Sequence, residues 1–320
     1  MTAARRDQGR VARRQAIAAA YRAACALELD AQKPGNVHRA SAGHGMTVAD
    51  FLRSAQVSAG PLTRPGLGLG ERVFRAVSAT RQAVGCNTNL GILLLSAPLI
   101  QAALAPSAGG DLRQRLGAVL KAADRQDTEW LFQAIRLAAP GGLGASAEHD
   151  VSGAAQGTPL EVMRPAAHRD LIARQYTEGF SDLFERAVPL LAVLNDRWQD
   201  PAWAAAGLYL DFLGRYPDSH VARKLGLAQA VAVSRQAAPL AAALTGAARP
   251  EPYAAALREL DRELKGAGIN PGTSADLTVA CLLIRGIEPR PRAVLSAADA
   301  RRLPVTGPVT LAPVLSFREL

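Results

Sequence analysis

Aromatic side chains are scarce in this chain, 5% of 320 residues. Interleaved Phe, Tyr and Trp are how single-stranded nucleic acid is stacked, so that class of partner is set aside. Cysteine is almost absent. Cys25, Cys86 and Cys281 stand far apart with no C-x-x-C pair, which excludes a zinc ribbon and a redox dithiol. Their apolar neighbours predict small core residues instead. No apolar run reaches the ~20 residues of a membrane helix; the longest, 90–104, is broken by Ser96 and Pro98. No G-x-x-x-x-G-K-[ST] occurs, so a P-loop is excluded. Alternating β-branched runs are missing until the last thirty residues, which leaves a body built on Ala and Leu and predicts an all-α fold. The first residues are too Arg-rich for a secretory signal, and the expected location is cytoplasmic.

What the chain does have is apolar bulk, 49%, and a formal charge of +9. The first is enough for a large helical core. The second suits a phosphorylated small molecule, with no nucleic acid and no membrane as partner. Part of the excess sits in Arg5, Arg6, Arg10, Arg13, Arg14 and Arg22. Among thirty-seven basic residues only four are Lys: Lys33, Lys121, Lys224 and Lys265.

Helices are predicted over 10–31, from a Thr47–Asp50 capping box to about Ala59, and over 71–84, 87–104, 110–123 and 127–139. A Gly-rich connection follows over 140–157. A second capping box, Thr158–Glu161, precedes helices expected at 166–197, 201–214, 221–245 and 251–266, and Thr273–Asp276 reads as a third box opening the last helix. The expected organisation is one multi-helix bundle, 1–287, with an extension, 288–320, that carries short strands. Polar motifs sit on loops at helix ends.

Four polar turns stand out. The first is Lys33-Pro34-Gly35-Asn36-Val37-His38, where Pro34 keeps Lys33 out of the helical region and Gly35 allows close backbone approach. The others are Asn87-Thr88-Asn89-Leu90-Gly91, the Glu148-His149-Asp150 stretch, and 270–276 with Gly272, Ser274 and Asp276. Helix N-termini attract phosphate through unpaired N–H groups, so several such ends in one cleft would hold a polyphosphate. His44, between two glycines, is a further candidate, as are Glu161, His168 and Asp170; the last two are expected inside a helix. Helix capping is the competing reading for Asn87, Thr88, Glu161 and Asp276. A second enzyme class is also open. The order His44, His149-Asp150, Asp276 mimics that of metal-dependent HD-type phosphohydrolases.

In order and spacing, these motifs resemble the triphosphoribosyl-dephospho-CoA synthase family. Lys33-Pro-Gly-Asn-Val resembles its K-P-G-x-V turn, Asn87-Thr-Asn-Leu-Gly91 its N-T-H-K-G segment, and Pro271 to Leu277 its P-G-G-[ST]-A-D-L segment. The pattern K-P-G-N-V-H with N-T-N-L-G is similar to an archaeal and methylotroph-type branch, and Asn89-Leu90 replaces His-Lys. The resemblance implies a transferase that displaces adenine from C1′ of ATP with a hydroxyl of 3′-dephospho-CoA, giving 2′-(5″-triphosphoribosyl)-3′-dephospho-CoA. It implies Mg²⁺ with the ATP substrate. Asp150 and Asp276 are then the catalytic or metal-binding carboxylates. His38 and His44 are candidate proton donors. Lys33, Gly35, Arg39 and Gly272 are candidates for the triphosphate, and Asn36, Asn87 and Asn89 for ribose or base. The same fold acting on another acceptor, and a non-catalytic nucleotide-binding accessory protein, remain alternatives; a homo-oligomer is compatible with either.

Overall fold

The backbone follows the Ala- and Leu-rich pattern into helix after helix. In the computed structural model, which describes residues 3–105, 110–141 and 151–288, the described residues hold fourteen α-helices and no strand, only two isolated bridges, His38–Ser41 and Gly43–Met46. The helices are α1 (Ala3–Asp30), α2 (Val48–Leu62), α3 (Leu69–Val84), α4 (Leu90–Leu104), α5 (Leu112–Ala122), α6 (Arg125–Ala138) and α7 (Pro159–Met163). After them come α8 (Leu171–Thr177), α9 (Val188–Trp198), α10 (Pro201–Arg215), α11 (Ser219–Leu225), α12 (Leu227–Gly246), α13 (Ala254–Gly266) and α14 (Gly272–Ile287). The expected extension lies outside the described residues beyond Glu288.

Capping boxes at Thr47/Asp50 and Thr158/Glu161 form as predicted, and Asp111/Gln114 and Asp124/Asp127 add two more. Three expectations fail for identifiable reasons. The predicted 166–197 helix is interrupted. Gly179 and Phe180 both take positive φ, 60° and 57°, and Phe180 N–H reaches back to Gln175 O at 2.8 Å, closing α8. The fully buried Phe180 ring, packed on Tyr176, holds that conformation. Asp170 is therefore the N-cap of α8, accepting from Ile172 and Ala173 N–H, and is not inside a helix; His168 lies on the turn before it. Gly226 (φ 90°) splits 221–245 into α11 and α12. Thr273 caps nothing, because α14 begins at Gly272 behind Pro271, which places Asp276 inside the first turns with no capping duty.

Two apolar cores meet along α10 and α14. The larger takes Ala204, Leu208 and Phe212 from α10 and most of α1, α3, α4 and α14. The smaller takes Tyr209, Leu210 and Leu213 from the other side of α10, with α11, α12 and α13. Helices α4 and α14 are apolar on nearly all sides and are buried accordingly, twelve of fifteen and eleven of sixteen residues. The Lys33 turn lies at the seam between the cores, where Tyr209 O–H donates to Pro34 O at 2.6 Å.

Helix α4 tolerates Pro98 because its missing N–H is replaced. Leu94 O, one turn earlier, loses its helical donor and accepts Tyr176 O–H at 2.7 Å. Tyr176→Phe should cost about 1 to 3 kcal/mol, the penalty of an orphaned buried carbonyl. In a Pro98→Ala background, which restores an N–H, the same change should cost clearly less. Chemical denaturation of the four proteins of this double-mutant cycle measures the coupling.

Candidate functional site

The end of α1 and its following turn are built around buried charge. Lys33 is fully buried, and its ammonium bonds Glu28, itself 3% exposed, and Asn36 Oδ1 at 2.8 Å. Burial pushes the Glu28 carboxyl up and the Lys33 ammonium down, and their attraction opposes both shifts. Gly35 (φ 80°) lies so close to Pro271, Ile269 and Leu264 that a Cβ would meet Pro271 Cδ at 2.8 Å. Its N–H donates to Asp261 Oδ1 at 2.8 Å, and Asn36 Nδ2 donates to Asn270 Oδ1 at 2.8 Å. The first and last motifs are thus in direct contact.

Asp261 gathers the same turn from α13. His38 Nε2 stands 3.3 Å from its Oδ2, and Lys265 Nζ is 3.0 Å from its Oδ1. Burial works to raise this carboxyl, but the nearby His38, Lys265 and the Gly35 N–H outweigh it and hold it below the usual range. His44, with φ 57°, bonds Gly35 O through Nε2 at 2.8 Å; the carbonyl only accepts, so Nε2 carries the proton. The loop histidine therefore has a structural partner the sequence does not reveal.

Asp218 joins the N-termini of α11 and α14. Its Oδ1 accepts from His220 and Val221 N–H at 2.9 and 3.1 Å, and its Oδ2 accepts from Ser274 N–H and O–H at 2.7 and 2.8 Å. Burial raises its carboxyl in spite of these donors. Gly272 N–H turns to Asn270 O at 2.8 Å. The N–H groups of Gly35, Gly272 and Ser274, which the sequence offers to a phosphate, thus all have partners within the protein.

Asp276 differs from every carboxylate around it. It is half-buried and has no hydrogen-bond partner among the described residues. Desolvation raises its carboxyl well above the ordinary range. Asp218 and Glu28 add to the shift, while Arg223 and Lys33 pull the other way. Gly91, the last residue of the second motif, faces it so closely that a Cβ would fall 2.0 Å from Asp276 Oδ2. The Lys33 turn, Asn87–Gly91 and α14 therefore share one site.

The second motif anchors itself around this point. Asn87 Oδ1 accepts Leu90 N–H at 3.1 Å, and Thr88 O–H bonds Ser54 Oγ at 2.6 Å. Asn89, 5% exposed, has an Nδ2 with no partner among the described residues. His220 Nε2 is likewise buried and unpartnered. Desolvation, with Arg223 and Lys224 nearby, drives its imidazole down to about 3. Neutral, and accepting on Nδ1 from Arg223 at 3.5 Å, it carries an orphan Nε2–H. Unsatisfied polar groups on two segments near one carboxylate are what a ligand would complete. Arg223 is the loosely held cation here, with contacts of 3.3 Å to Gly141 O, 3.5 Å to His220 and 3.8 Å to Asp170.

Other candidates stand apart. Arg39 pairs with Asp30 on the surface, and Glu161 completes the capping box of α7. His168 is exposed on its turn. Asp170 reaches the site only through Arg223. Glu148, His149 and Asp150 lie outside the described residues, and no three His, Cys, Asp or Glu among the described residues form a metal-binding group. Glu28, Asp218, His220, Arg223, Asp261 and Lys265 are additions. Only Lys265 had a signal, as one of four Lys.

Two substitutions test this construction. Lys33→Met strands Glu28 and should cost about 3 to 5 kcal/mol, and adding Glu28→Gln should recover much of it in denaturant titrations. Gly91→Ala should destabilise by about 1 to 3 kcal/mol through overpacking. That cost should shrink when Asp276→Gly removes the opposing carboxylate.

The CitG family, ATP:dephospho-CoA triphosphoribosyl transferase, matches residues 14–293. A crystal structure from Archaeoglobus fulgidus, provisionally assigned as a triphosphoribosyl-dephospho-CoA synthase, superposes with a TM-score of 0.56 at 25% sequence identity, covering 76% of this chain and 100% of that one. No curated protein matches. No helix among the described residues is long and apolar enough to cross a membrane. The chain belongs to the CitG family of ATP:dephospho-CoA triphosphoribosyl transferases, and is a transferase whose reaction uses ATP.

Proposed function

We propose that the site around Asp276 carries out the family's transfer, and that Asp276 is its general base. The observation that carries this reading is a raised, unpartnered carboxylate at the point where three motifs converge. The acceptor hydroxyl of dephospho-CoA attacks C1′ of ATP. The new O–C1′ bond forms as the C1′–N9 bond breaks, with its electron pair leaving on adenine. The hydroxyl proton passes to Asp276, and adenine, leaving with the electron pair on N9, takes its proton from solvent water. The positive charge that develops on the ribose, as in glycoside cleavage, is offset by the same carboxylate. A carboxylate whose pKa is raised above the ordinary range is a stronger base for this proton transfer.

His44 has its Nε2–H committed to Gly35 O, so the neutral ring offers only the Nδ1 lone pair, which can accept a hydrogen bond from the departing base but cannot protonate it. The triphosphate goes to Arg223 and the Nε2–H of His220, since Lys33 and Lys265 are already bonded within the protein. Lys33 then acts from behind, as a positioning residue that neutralises Glu28 beside Asp276. Mg²⁺ would arrive on the triphosphate and neutralise its charge. Asp276, used as the base, is not free to hold the ion, and no three His, Cys, Asp or Glu among the described residues form a metal-binding group, so phosphate oxygens and water would be its ligands. Asn89 and Leu90, where the family has His-Lys, leave Arg223 as the compensating cation and support placement in the K-P-G-N-V-H, N-T-N-L-G branch.

Adenine release from ATP, dependent on added dephospho-CoA, is the expected activity. Asp276→Asn should lower kcat/KM by about 10² to 10⁴. Because the Asp276 carboxyl is raised and must be ionised to act, kcat/KM should fall with decreasing pH along a limb lying above the ordinary carboxylate range. That limb should be absent in the Asn variant. An unchanged variant rate, or release of phosphate instead of adenine, removes the proposal.

A further inference from the structure

A second concentration of positive charge lies elsewhere, where α1, α2 and α3 enclose a groove of about 940 Å³. Arg14 and Arg22 line it from α1, Arg64 from the turn after α2, and Arg75 from α3, with Gln56 and Gln82 beside them and no acidic residue in the lining. Arg75 is paired with Glu71. Arg14, Arg22 and Arg64 have no ion pair and no side-chain hydrogen bond among the described residues. The Arg64 segment is held in place from below. Buried Arg72 donates to the carbonyl oxygens of Arg64 and Leu67, both at 3.0 Å.

Three guanidiniums without partners among the described residues line one groove, a basic surface that attracts a polyanion. Guanidinium forks match phosphate oxygens, and the volume lies within the range of small-molecule sites. Phe74, backed by Trp130 at 5.0 Å, adds an apolar wall. None of the residues placed at the Asp276 site lines the groove; at a rise of 1.5 Å per residue its far end, Arg14, is about 21 Å along α1 from Glu28 and its near end, Arg22, about 9 Å.

We propose that this groove is a second anion site that binds a polyphosphate-bearing small molecule. The group is supplied either by the diphosphate of a bound acceptor or by a free polyphosphate. Calorimetric titration of the full chain with inorganic tripolyphosphate tests it. Arg14→Gln/Arg64→Gln, and separately Gln82→Glu, should weaken one binding event at least tenfold. Arg223→Gln should spare that event. If the groove variants also raise KM for dephospho-CoA, the acceptor is the source; with KM unchanged, a free polyphosphate is. Tripolyphosphate binding equal in wild type and both groove variants overturns the proposal. Loss on the groove variants with no effect of Arg223→Gln upholds it while counting against Arg223 as the triphosphate ligand.

Discussion

The buried pairing of Lys33 with Glu28 is the interaction around which the site is arranged. A cation with no solvent contact at the end of α1 can exist only beside an anion, and each would be costly alone. That requirement fixes the chain's exit from α1. It also fixes where the turn's other groups go: Gly35 N–H to Asp261, Asn36 to Asn270, and Pro34 O to the Tyr209 hydroxyl. The turn thus becomes a rivet between α1, α10, α13 and the start of α14, at the seam where the two cores meet.

Around this rivet nearly every charge is answered. Asp218 has four donors, and Asp261 has Lys265, His38 and a backbone N–H. Asp276 is the exception, and the satisfied carboxylates beside it make its own ionisation harder. In the proposed reading, that leaves the carboxylate with no internal hydrogen bond to give up when a ligand arrives. Gly91 matters for the same reason, since any side chain there would occupy the space that the carboxylate fills.

Much of this was readable in the sequence because it rests on local chemistry. The Lys33 turn, the Asn87–Gly91 segment and the Pro271–Asp276 stretch announce themselves by unusual residues at helix ends, and two capping boxes form where Thr-x-x-Asp and Thr-x-x-Glu predict them. The errors came where a local rule lost to a distant contact. Gly179-Phe180 ends a helix because the Phe180 ring is buried on Tyr176, and Asp276 caps nothing because Pro271 sets the helix start two residues earlier than a Thr273 cap would. His220 and Arg223 had no signal, since an Asp-Ser-His run reads as an ordinary cap until the second oxygen of Asp218 is seen to hold another helix.

By itself, the sequence determined the helical class, most helix positions and three motifs, because propensity, capping and backbone restriction act within a few residues. Only the tertiary structure decided which charges face one another. Lys33 became an internal counterion, the backbone N–H groups of two glycines were taken up by neighbours within the protein, and Asp276 was left unpaired. Desolvation and Coulomb attraction depend on distances in space between residues hundreds of positions apart, and those distances are set by how the two cores close on α10 and α14.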